Sequence, residues 1–189
     1  MLSEGRLLLS ASRVSVVPAA GATLESAIGP LTVLASESGI CSIFFDDERD
    51  GPCAIGGGAA DEAATSVLRR ALEQLAQYFE GVRTAFELPL DLAGTPFQMR
   101  VWAEVVRIPY GKTASYGELA RRVGSASGAR AVGGANARNP LPIVVPCHRV
   151  VGARGQLTGF GGGLARKAFL LDLESGGAPA HDSIAGRSA

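Results

Sequence analysis

The interpretation of this 189-residue chain is decided by one run of residues, Ile143-Val144-Val145-Pro146-Cys147-His148-Arg149-Val150. The run places a thiol beside an imidazole, directly after three apolar residues. The thiolate is the nucleophilic form of cysteine, and a nearby His or cation lowers the thiol pKa enough to populate it. A free cysteine is more often a small buried hydrophobic residue, so the pair alone does not establish chemistry. The surrounding sequence has to decide between the two interpretations.

The composition indicates a folded protein of a reducing compartment. Apolar residues make up 47% of the chain and charged residues 19%, as is usual for soluble proteins. No apolar run approaches the roughly 18 residues that a membrane span needs, and the N-terminus lacks the pattern of a signal peptide. The three cysteines have no CxxC spacing, which argues against a disulfide framework and against a zinc cluster. We therefore expect a cytoplasmic protein without a metal site or membrane contact, because an oxidising location would endanger Cys147.

The net charge is zero, but the charges are unevenly distributed along the chain. Residues 1–94 contain 6 Lys or Arg and 13 Asp or Glu, a net charge of −7. Residues 95–174 contain 11 Lys or Arg and 4 Asp or Glu, a net charge of +7. This division predicts that only the second half faces a polyanion such as a nucleic acid. The alternative is that the two halves are complementary and face each other.

The first half has the pattern of a small antiparallel sheet and one helix. Residues 1–12 are loosely patterned and expected to be flexible. Strands are then predicted at residues 14–17, 31–34 and 40–45, followed by a Gly-rich loop at residues 46–60. Leucines recur at helical spacing and predict a helix over residues 61–80. A last strand is expected at residues 86–88, and this domain as a whole spans residues 13–91.

The second half, residues 95–174, is predicted to be a mainly helical domain. Thr95 and Gln98 form a capping box, and Ser115 and Glu118 form another, so that a helix begins at each. Two further helices and a disordered tail are expected, at residues 127–138, 164–174 and 175–189. The helices at residues 115–123 and 127–138 have the lengths of a helix-turn-helix unit.

The second helix of that pair is unusually slim. It consists mainly of Ala and Gly, and Arg130 and Arg138 project from it. Small side chains let a backbone approach a partner closely, and a slim helix suits even the narrow minor groove of DNA. Tight packing on a neighbouring helix would explain the same composition.

Residues 95–174 resemble the catalytic domain of the O6-alkylguanine-DNA alkyltransferases, also called methylated-DNA–protein-cysteine methyltransferases. The matching segments occur in the family's order with its spacing, at Phe97, Val101-Trp102, Ile108-Pro109-Tyr110-Gly111, Ser115-Tyr116, Ala129-Arg130-Ala131-Val132-Gly133, Asn139-Pro140, residues 143–150 and Gly161-Gly162-Gly163. Residues 13–91 are similar, more loosely, to the family's N-terminal domain. The resemblance implies an α/β (α+β) protein with a ribonuclease-H-like first domain and a helical second domain that contains the DNA-binding helix-turn-helix.

The resemblance further implies repair of O6-alkylguanine in DNA by a suicide reaction that needs no cofactor, with O4-methylthymine as a second candidate lesion. The Cys147 thiolate attacks the alkyl carbon and keeps the group as a thioether. His148 is the base, acting through a bridging water, and Glu174 holds its other ring nitrogen. Tyr116 donates a hydrogen bond or proton to guanine N3, and Asn139 steadies the active-site turn. We accordingly expect the sulfur to be ionised at neutral pH and open at the floor of a cleft.

The resemblance also assigns the contacts with DNA. Because the O6 atom is hidden inside a duplex, the nucleotide must be flipped out, and Arg130 matches the arginine finger that replaces it. The slim helix matches the recognition helix that enters the minor groove, and the residues expected to contact DNA with Arg130 are Ala129, Gly133, Ala135, Asn136 and Ser115. The base pocket is expected to use Pro142, Val150, Phe160 and Gly161. We expect a monomer that binds double-stranded DNA carrying O6-alkylguanine without sequence preference.

Two positions depart from the family members that the chain otherwise resembles. Phe160 stands where several members carry Tyr, which removes a hydroxyl from the pocket wall. Asn136 replaces a bulkier apolar side chain found in some members. The range of alkyl groups accepted therefore stays open. Residues 1–94 contain no His, so they cannot supply the structural zinc site of some relatives.

Other classes of protein share some of these features. A non-catalytic relative would bind the alkyl lesion and recruit repair factors, but members of that kind lack the reactive cysteine. A helix-turn-helix regulator would be expected to dimerise on two half-sites. A Cys-His hydrolase would need an oxyanion hole and a peptide or ester pocket, and no motif proposes either.

Overall fold

The first half of the chain folds as a three-stranded antiparallel sheet covered by one helix. The computed structural model describes residues 16–45, 61–125 and 128–176. The strands are β1 (Ala20–Leu24), β2 (Leu31–Ser36) and β3 (Gly39–Phe45), in the spatial order β1-β2-β3. Leu31 of β2 faces Leu24 on one side and Phe45 on the other, and its side chain is fully buried. The expected flexible start, the loop at residues 46–60 and the tail beyond residue 176 lie outside the described residues.

The helix of this half, α1 (Glu62–Phe79), is the one that the leucine spacing predicts. The Asp61 side chain accepts a hydrogen bond from the backbone N–H of Ala64 at 2.8 Å and so begins the helix. Leu68 and Leu75 are buried on the face that packs on the sheet. Tyr78, one turn after Leu75, is also fully buried.

Two strand predictions for this half are wrong. The first strand begins at Ala20, residues 16 and 17 are not in a strand, and Val17 is 71% exposed, while residues 14 and 15 lie outside the described residues. Residues 86–88 form no strand, because side chains of α1 bind their backbone instead. The backbone N–H of Glu87 donates to Gln74 at 2.8 Å, and its carbonyl accepts from Gln74 at 3.2 Å and from Arg70 at 3.0 Å.

The second half is mainly helical, as predicted. Its helices are α2 (Pro96–Val106), α3 (Tyr116–Arg122), α4 (Gly128–Ala137) and α5 (Gly163–Glu174). Both capping boxes are formed, at Thr95 and at Ser115. A two-residue strand, β4 (Ala114–Ser115), precedes α3 and pairs in parallel with β5 (Val150–Val151). The mixed α/β architecture is therefore confirmed.

The two halves pack directly against each other. The backbone N–H of Ile43 in β3 donates to the carbonyl of Pro140 at 2.8 Å, and Arg166 of α5 donates to the carbonyl of Ile28 at 2.8 Å. The Arg166 guanidinium also lies over the ring of Phe45, 4.5 Å from its centroid. A side chain at Gly162 would collide with the same ring. The start of α5 is thus seated on the sheet of the first half.

Among the described residues, no helix is long and apolar enough to cross a membrane.

Candidate active site

The Cys147 segment is a turn whose far end is held by backbone pairing. Cys147–Arg149 form one turn of 3₁₀ helix, and the N–H of Val150 returns to the carbonyl of Cys147. Val150 then pairs with Ala114, so the turn lies beside the first residues of α3. This pairing explains how Tyr116 comes near Cys147 although 31 positions separate them in the sequence.

Asn139 fixes the chain that enters this turn. Its side-chain amide donates to the carbonyl of Val145 at 2.8 Å, and its oxygen accepts from the N–H of Leu141 at 3.0 Å. Between those contacts, Ile143 adopts a φ of 76°, in the left-handed region that β-branched residues avoid. Such a conformation costs about 1–3 kcal/mol and persists only when its surroundings enforce it. Asn139 therefore supports a strained segment immediately before Cys147.

His148 is buried and bound to Glu174. Its Nε2 atom lies 2.8 Å from Oε1 of Glu174, and both side chains are fully buried. Arg149 adds two hydrogen bonds at 2.8 Å, one to each carboxylate oxygen, and the N–H of Gly111 adds another at 3.1 Å. Burial alone would raise the pKa of Glu174, but hydrogen bonds from His148 and Arg149 outweigh it and bring the pKa to about 2. Glu174 is thus a carboxylate at every working pH.

The second ring nitrogen of His148 is free to act as a base. Nδ1 is buried and has no hydrogen-bond partner within the described part of the chain. Burial lowers the pKa of His148 despite its contact with Glu174, which favours the neutral ring. Because Nε2 faces a carboxylate, the proton of the neutral ring resides on Nε2 and the lone pair on Nδ1.

The expectation of an open, ionised Cys147 is wrong for this state of the protein. Cys147 is only 5% exposed. Burial raises the pKa of its thiol to about 11, although the side chain of Asn139 and the charge of Lys167 act in the opposite direction. The physical reason is that removal from water disfavours the charged form of a thiol. The resting sulfur is therefore a protonated thiol at neutral pH.

Lys167 brings a fully buried amine to the same region. Its Nζ atom donates to the carbonyls of Val150 and Thr158, both at 2.6 Å, and to that of Gly159 at 3.3 Å. Burial lowers the pKa of Lys167, and the proximity of Cys147 partly opposes this shift. The amine joins the Cys147 turn to the loop that carries Phe160.

Of the residues expected to form the base pocket, Phe160 and Gly161 belong to this loop and Val150 is joined to it through Lys167. Pro142 and Val150 are buried, Phe160 is half-buried and Gly161 is exposed. The ring of Phe160 meets the His148 ring edge-on, with centroids 6.5 Å apart. The hydroxyl of Tyr116 donates to two carbonyls of the same loop, those of Thr158 at 3.2 Å and Gly159 at 3.4 Å.

Helix α4 has one exposed and one buried face. Ala129 and Arg130 are exposed, and Gly133 is half-buried beside the ring of Tyr116. Ser115 is half-buried and caps α3, exchanging hydrogen bonds with Glu118.

Two residues of α4 do not fit the expectation of contact with DNA. Ala135 is 4% exposed, and its carbonyl accepts from the indole N–H of Trp102 at 3.0 Å. Asn136 is 6% exposed, and its amide donates to the carbonyl of Cys147 at 3.3 Å. Both belong to the inward face of α4, and Asn136 contacts the active-site turn.

Three buried residues of this region were not assigned from the sequence: Arg149, Lys167 and Tyr78. The hydroxyl of Tyr78 donates to Oε1 of Glu174 at 2.7 Å. A signal for Lys167 was present, because it precedes Glu174 by seven positions, which places both on the same helical face as the buried Leu170. Tyr78 gave no such signal, because it continues the apolar stripe of α1.

Within residues 16–45, 61–125 and 128–176, no three His, Cys, Asp or Glu side chains are grouped so as to hold a metal ion.

Comparison with known proteins identifies the two halves separately. Residues 21–92 match the family model of the 6-O-methylguanine DNA methyltransferase ribonuclease-like domain. Residues 96–176 match that of the 6-O-methylguanine DNA methyltransferase DNA binding domain. The order of the two matches is that of the sheet domain and the helical domain described above.

Whole relatives are similar over most of their length. A methylated-DNA–protein-cysteine methyltransferase of Mycobacterium leprae is 48% identical over 152 residues, which are 80% of this chain and 90% of the relative. A constitutive one of Bacillus subtilis is 44% identical over 153 residues, 80% of this chain and 93% of the relative. The crystal structure of Mycobacterium tuberculosis OGT in complex with DNA is 46% identical, with a TM-score of 0.73 over 84% of this chain and 94% of that chain. The chain therefore belongs to the 6-O-methylguanine DNA methyltransferase family.

Proposed function

We propose that this protein repairs alkylated DNA by moving the alkyl group from O6 of guanine to its own Cys147. Family membership supports this reaction class, since the close relatives are named for transfer from methylated DNA to a protein cysteine. The observation in the structure that carries it is the orientation of His148. With Nε2 held by Glu174, the free Nδ1 lone pair is the base that a thiol nucleophile needs.

The reaction is a displacement at carbon. The sulfur of Cys147 forms a bond to the alkyl carbon as the bond between that carbon and O6 breaks, and the electron pair of the broken bond stays on guanine. The thiol proton passes to Nδ1 of His148, through a water in the scheme that the family resemblance implies. Guanine regains one proton overall, so the products are neutral guanine and a thioether. Each molecule reacts once, because the bond between sulfur and the alkyl carbon of a thioether is not broken under these conditions.

Ionisation of the thiol is coupled to this step rather than present beforehand. The resting thiol has a pKa of about 11, which leaves little thiolate at neutral pH. His148 is neutral and can accept the proton, while the Lys167 charge favours the thiolate. In this proposal a bound alkylguanine places the electrophilic carbon against a sulfur that becomes charged only as it reacts.

Tyr116 is proposed to assist the departing guanine. Its hydroxyl now donates to the carbonyls of Thr158 and Gly159, both of which also accept from Lys167. Since Lys167 can continue to satisfy those carbonyls, Tyr116 can turn its hydroxyl to guanine N3. A donor at N3 stabilises the negative charge that develops as the bond to O6 breaks.

The protein is proposed to bind duplex DNA through α3 and α4. Ala129 and Arg130 are exposed on α4 and Gly133 provides a small side, which supports entry into the minor groove with Arg130 filling the flipped position. The +7 charge of residues 95–174 supports contacts with phosphates that carry no sequence preference. We propose that a monomer does this in the cytoplasm, with residues 13–91 and 95–174 as its two domains.

The test is the intact mass of the protein after incubation with an oligonucleotide that contains O6-methylguanine. We expect one added methyl group, mapped to the peptide that contains Cys147. Undamaged DNA and Cys147→Ser give no added mass. Cys41→Ser is the matched control, because Cys41 is likewise buried with a thiol pKa of about 11 but lies in β3. Tight binding without any added mass would instead favour a lesion-binding protein that recruits other factors.

A further inference from the structure

A tyrosine of the first domain reaches the catalytic carboxylate of the second. The hydroxyl of Tyr78, in α1, donates to Oε1 of Glu174 at 2.7 Å across 96 positions of sequence. Tyr78 is completely buried. The same Oε1 atom lies 2.8 Å from Nε2 of His148 and 2.8 Å from a guanidinium nitrogen of Arg149. The first domain therefore supplies one of the donors that define how Glu174 meets His148.

Packing explains the ring of Tyr78 but not its hydroxyl. The ring touches three other aromatic rings, with centroid distances of 5.5 Å to Phe79, 5.5 Å to Phe86 and 6.1 Å to Tyr110. A phenylalanine would fill this site equally well. A buried hydroxyl is unfavourable unless it is hydrogen-bonded, and here its partner is the carboxylate of the active site.

We infer that Tyr78 is a positioning residue of the alkyl transfer, through which the first domain holds Glu174 against His148 in the orientation that leaves Nδ1 free. This inference rests on the proposed function. Through its hydrogen bond to Glu174, Tyr78 makes the first domain contribute to the chemistry as well as to the core.

The physical basis is competition for one carboxylate oxygen. A donor on Oε1 withdraws charge from the carboxylate and weakens its support for a protonated His148. Without the Tyr78 hydroxyl, Glu174 would stabilise the imidazolium form of His148 more strongly. His148 would then release less readily the proton that it accepts from Cys147. Burial and the charge of Glu174 raise the pKa of Tyr78, so it stays a neutral donor. The titratable and charged groups that surround this pair are Tyr78 from α1, Tyr110 before β4, His148 and Arg149 from the turn, and Lys167 from α5.

The test compares Tyr78→Phe with Tyr110→Phe. Both variants lose one hydroxyl near the end of α5, but that of Tyr110 lies 3.4 Å from the carbonyl of Leu173 and does not bind Glu174. Single-turnover rates with a methylated oligonucleotide and with free O6-benzylguanine are measured from acid to mildly alkaline pH. The chain has two histidines, His148 and His181, so the His148 ring can be followed by NMR in a His181→Ala background.

We expect Tyr78→Phe to lower the single-turnover rate with both substrates by about three- to tenfold below neutral pH. A hydrogen bond to a charged group allows an effect of this size. The loss should shrink as pH rises, the His148 resonance should titrate at a higher pH, and affinity for undamaged duplex should not change. Tyr110→Phe should alter none of these. If Tyr78→Phe lowers only the melting temperature and keeps the wild-type pH profile and His148 titration, the hydroxyl is structural and the inference fails.

A second replacement keeps the inference testable if Tyr78→Phe does not fold. Incorporation of 3-fluorotyrosine at position 78 retains the ring and makes the hydroxyl a stronger donor. The His148 titration should then move to lower pH, and an unchanged titration would contradict the inference. An unmethylated wild-type Cys147 would refute the proposed function itself, whereas an active wild type with an unaffected Tyr78→Phe refutes only the role of Tyr78.

Discussion

The second domain carries its charges in two contrasting ways. The buried charge cluster, His148, Arg149, Lys167 and Glu174, is enclosed by the protein: His148 and Arg149 bind Glu174, and Lys167 donates to backbone carbonyls. The α4 surface, Ala129, Arg130 and Gly133, presents a cation on a slim and exposed backbone. The first arrangement sets proton affinities and cannot tolerate the loss of a member. The second is screened by salt and affects only what binds at the surface.

The largest effect should come from breaking the buried charge cluster. Glu174→Ala leaves Arg149 and His148 buried without their carboxylate, and removing one partner of a buried pair costs about 3–5 kcal/mol. Denaturant unfolding should show a loss of this size in the free energy of unfolding, together with loss of alkyl transfer. Asp172→Ala, at an exposed position of the same helix, should change stability by less than about 0.5 kcal/mol. Equal losses of stability in the two variants would show that Glu174 contributes no more than an exposed carboxylate of the same helix.

Acid should weaken the same cluster without any mutation. The pKa of Glu174 falls from its ordinary 4.5 to about 2 in the folded protein, so folding favours its ionised form. The associated stability, about 3 kcal/mol, is present above pH 4.5 and is lost as the pH falls towards 2. Unfolding measured between pH 6 and pH 2 should show this decline in the wild type. Glu174→Gln should lack the part of the slope due to this group, and an identical slope in both proteins would contradict the assignment.

On the α4 surface, Arg130→Ala should impair repair of duplex DNA but leave the alkyl transfer step itself unchanged. Flipping a base costs a few kcal/mol, so loss of the residue proposed to fill the gap should slow repair of duplex DNA by about 10- to 100-fold. Reaction with free O6-benzylguanine should change by less than about twofold, because no base is flipped. Arg138→Ala is the matched control, since Arg138 is exposed immediately after the same helix but already donates to the carbonyl of Gly134. Equal losses on the two substrates would remove Arg130 from the flipping step.

The smallest effect is expected at Phe160, beside the buried charge cluster. Its ring is half-buried and touches Phe45 and His148 edge-on, at 6.0 Å and 6.5 Å between centroids. Phe160→Tyr keeps the ring, so transfer from O6-methylguanine should change by less than about twofold, the range typical of a surface change. A comparison of methyl and benzyl substrates measures this directly. A tenfold gain would show that the missing hydroxyl limits this protein.

Local signals were sufficient for the helices of the second domain. The capping boxes at Thr95 and Ser115 satisfy backbone groups within the helix itself, so the local sequence is enough to predict them. The strands of the first domain depend on partners far along the chain. Ala20–Leu24 has little intrinsic preference for a strand, and it forms a strand because it pairs with β2. Residues 86–88 have the composition of a strand but form none, because side chains of α1 bind their backbone.

The same distinction applies to the site. Motif spacing located Cys147, His148 and Glu174, because the turn and the end of α5 belong to one family pattern. It could not show that the sulfur would be buried, because burial depends on how Asn139, Lys167 and the Phe160 loop close around it. Nor could it show Tyr78, whose position reads as one more apolar residue of α1. Its hydroxyl gains a partner only when the two domains meet.

The burial of Cys147 has a consequence for the lifetime of the unused protein. Peroxides and electrophilic metabolites attack thiolates, and a thiol that is 5% exposed with a pKa of about 11 offers them little of that form. In the proposed reaction each molecule acts once, so a molecule whose Cys147 has been oxidised or alkylated in this way is lost for repair. The burial that disfavours ionisation of the Cys147 sulfur therefore also protects the sulfur from side reactions before alkylated DNA binds.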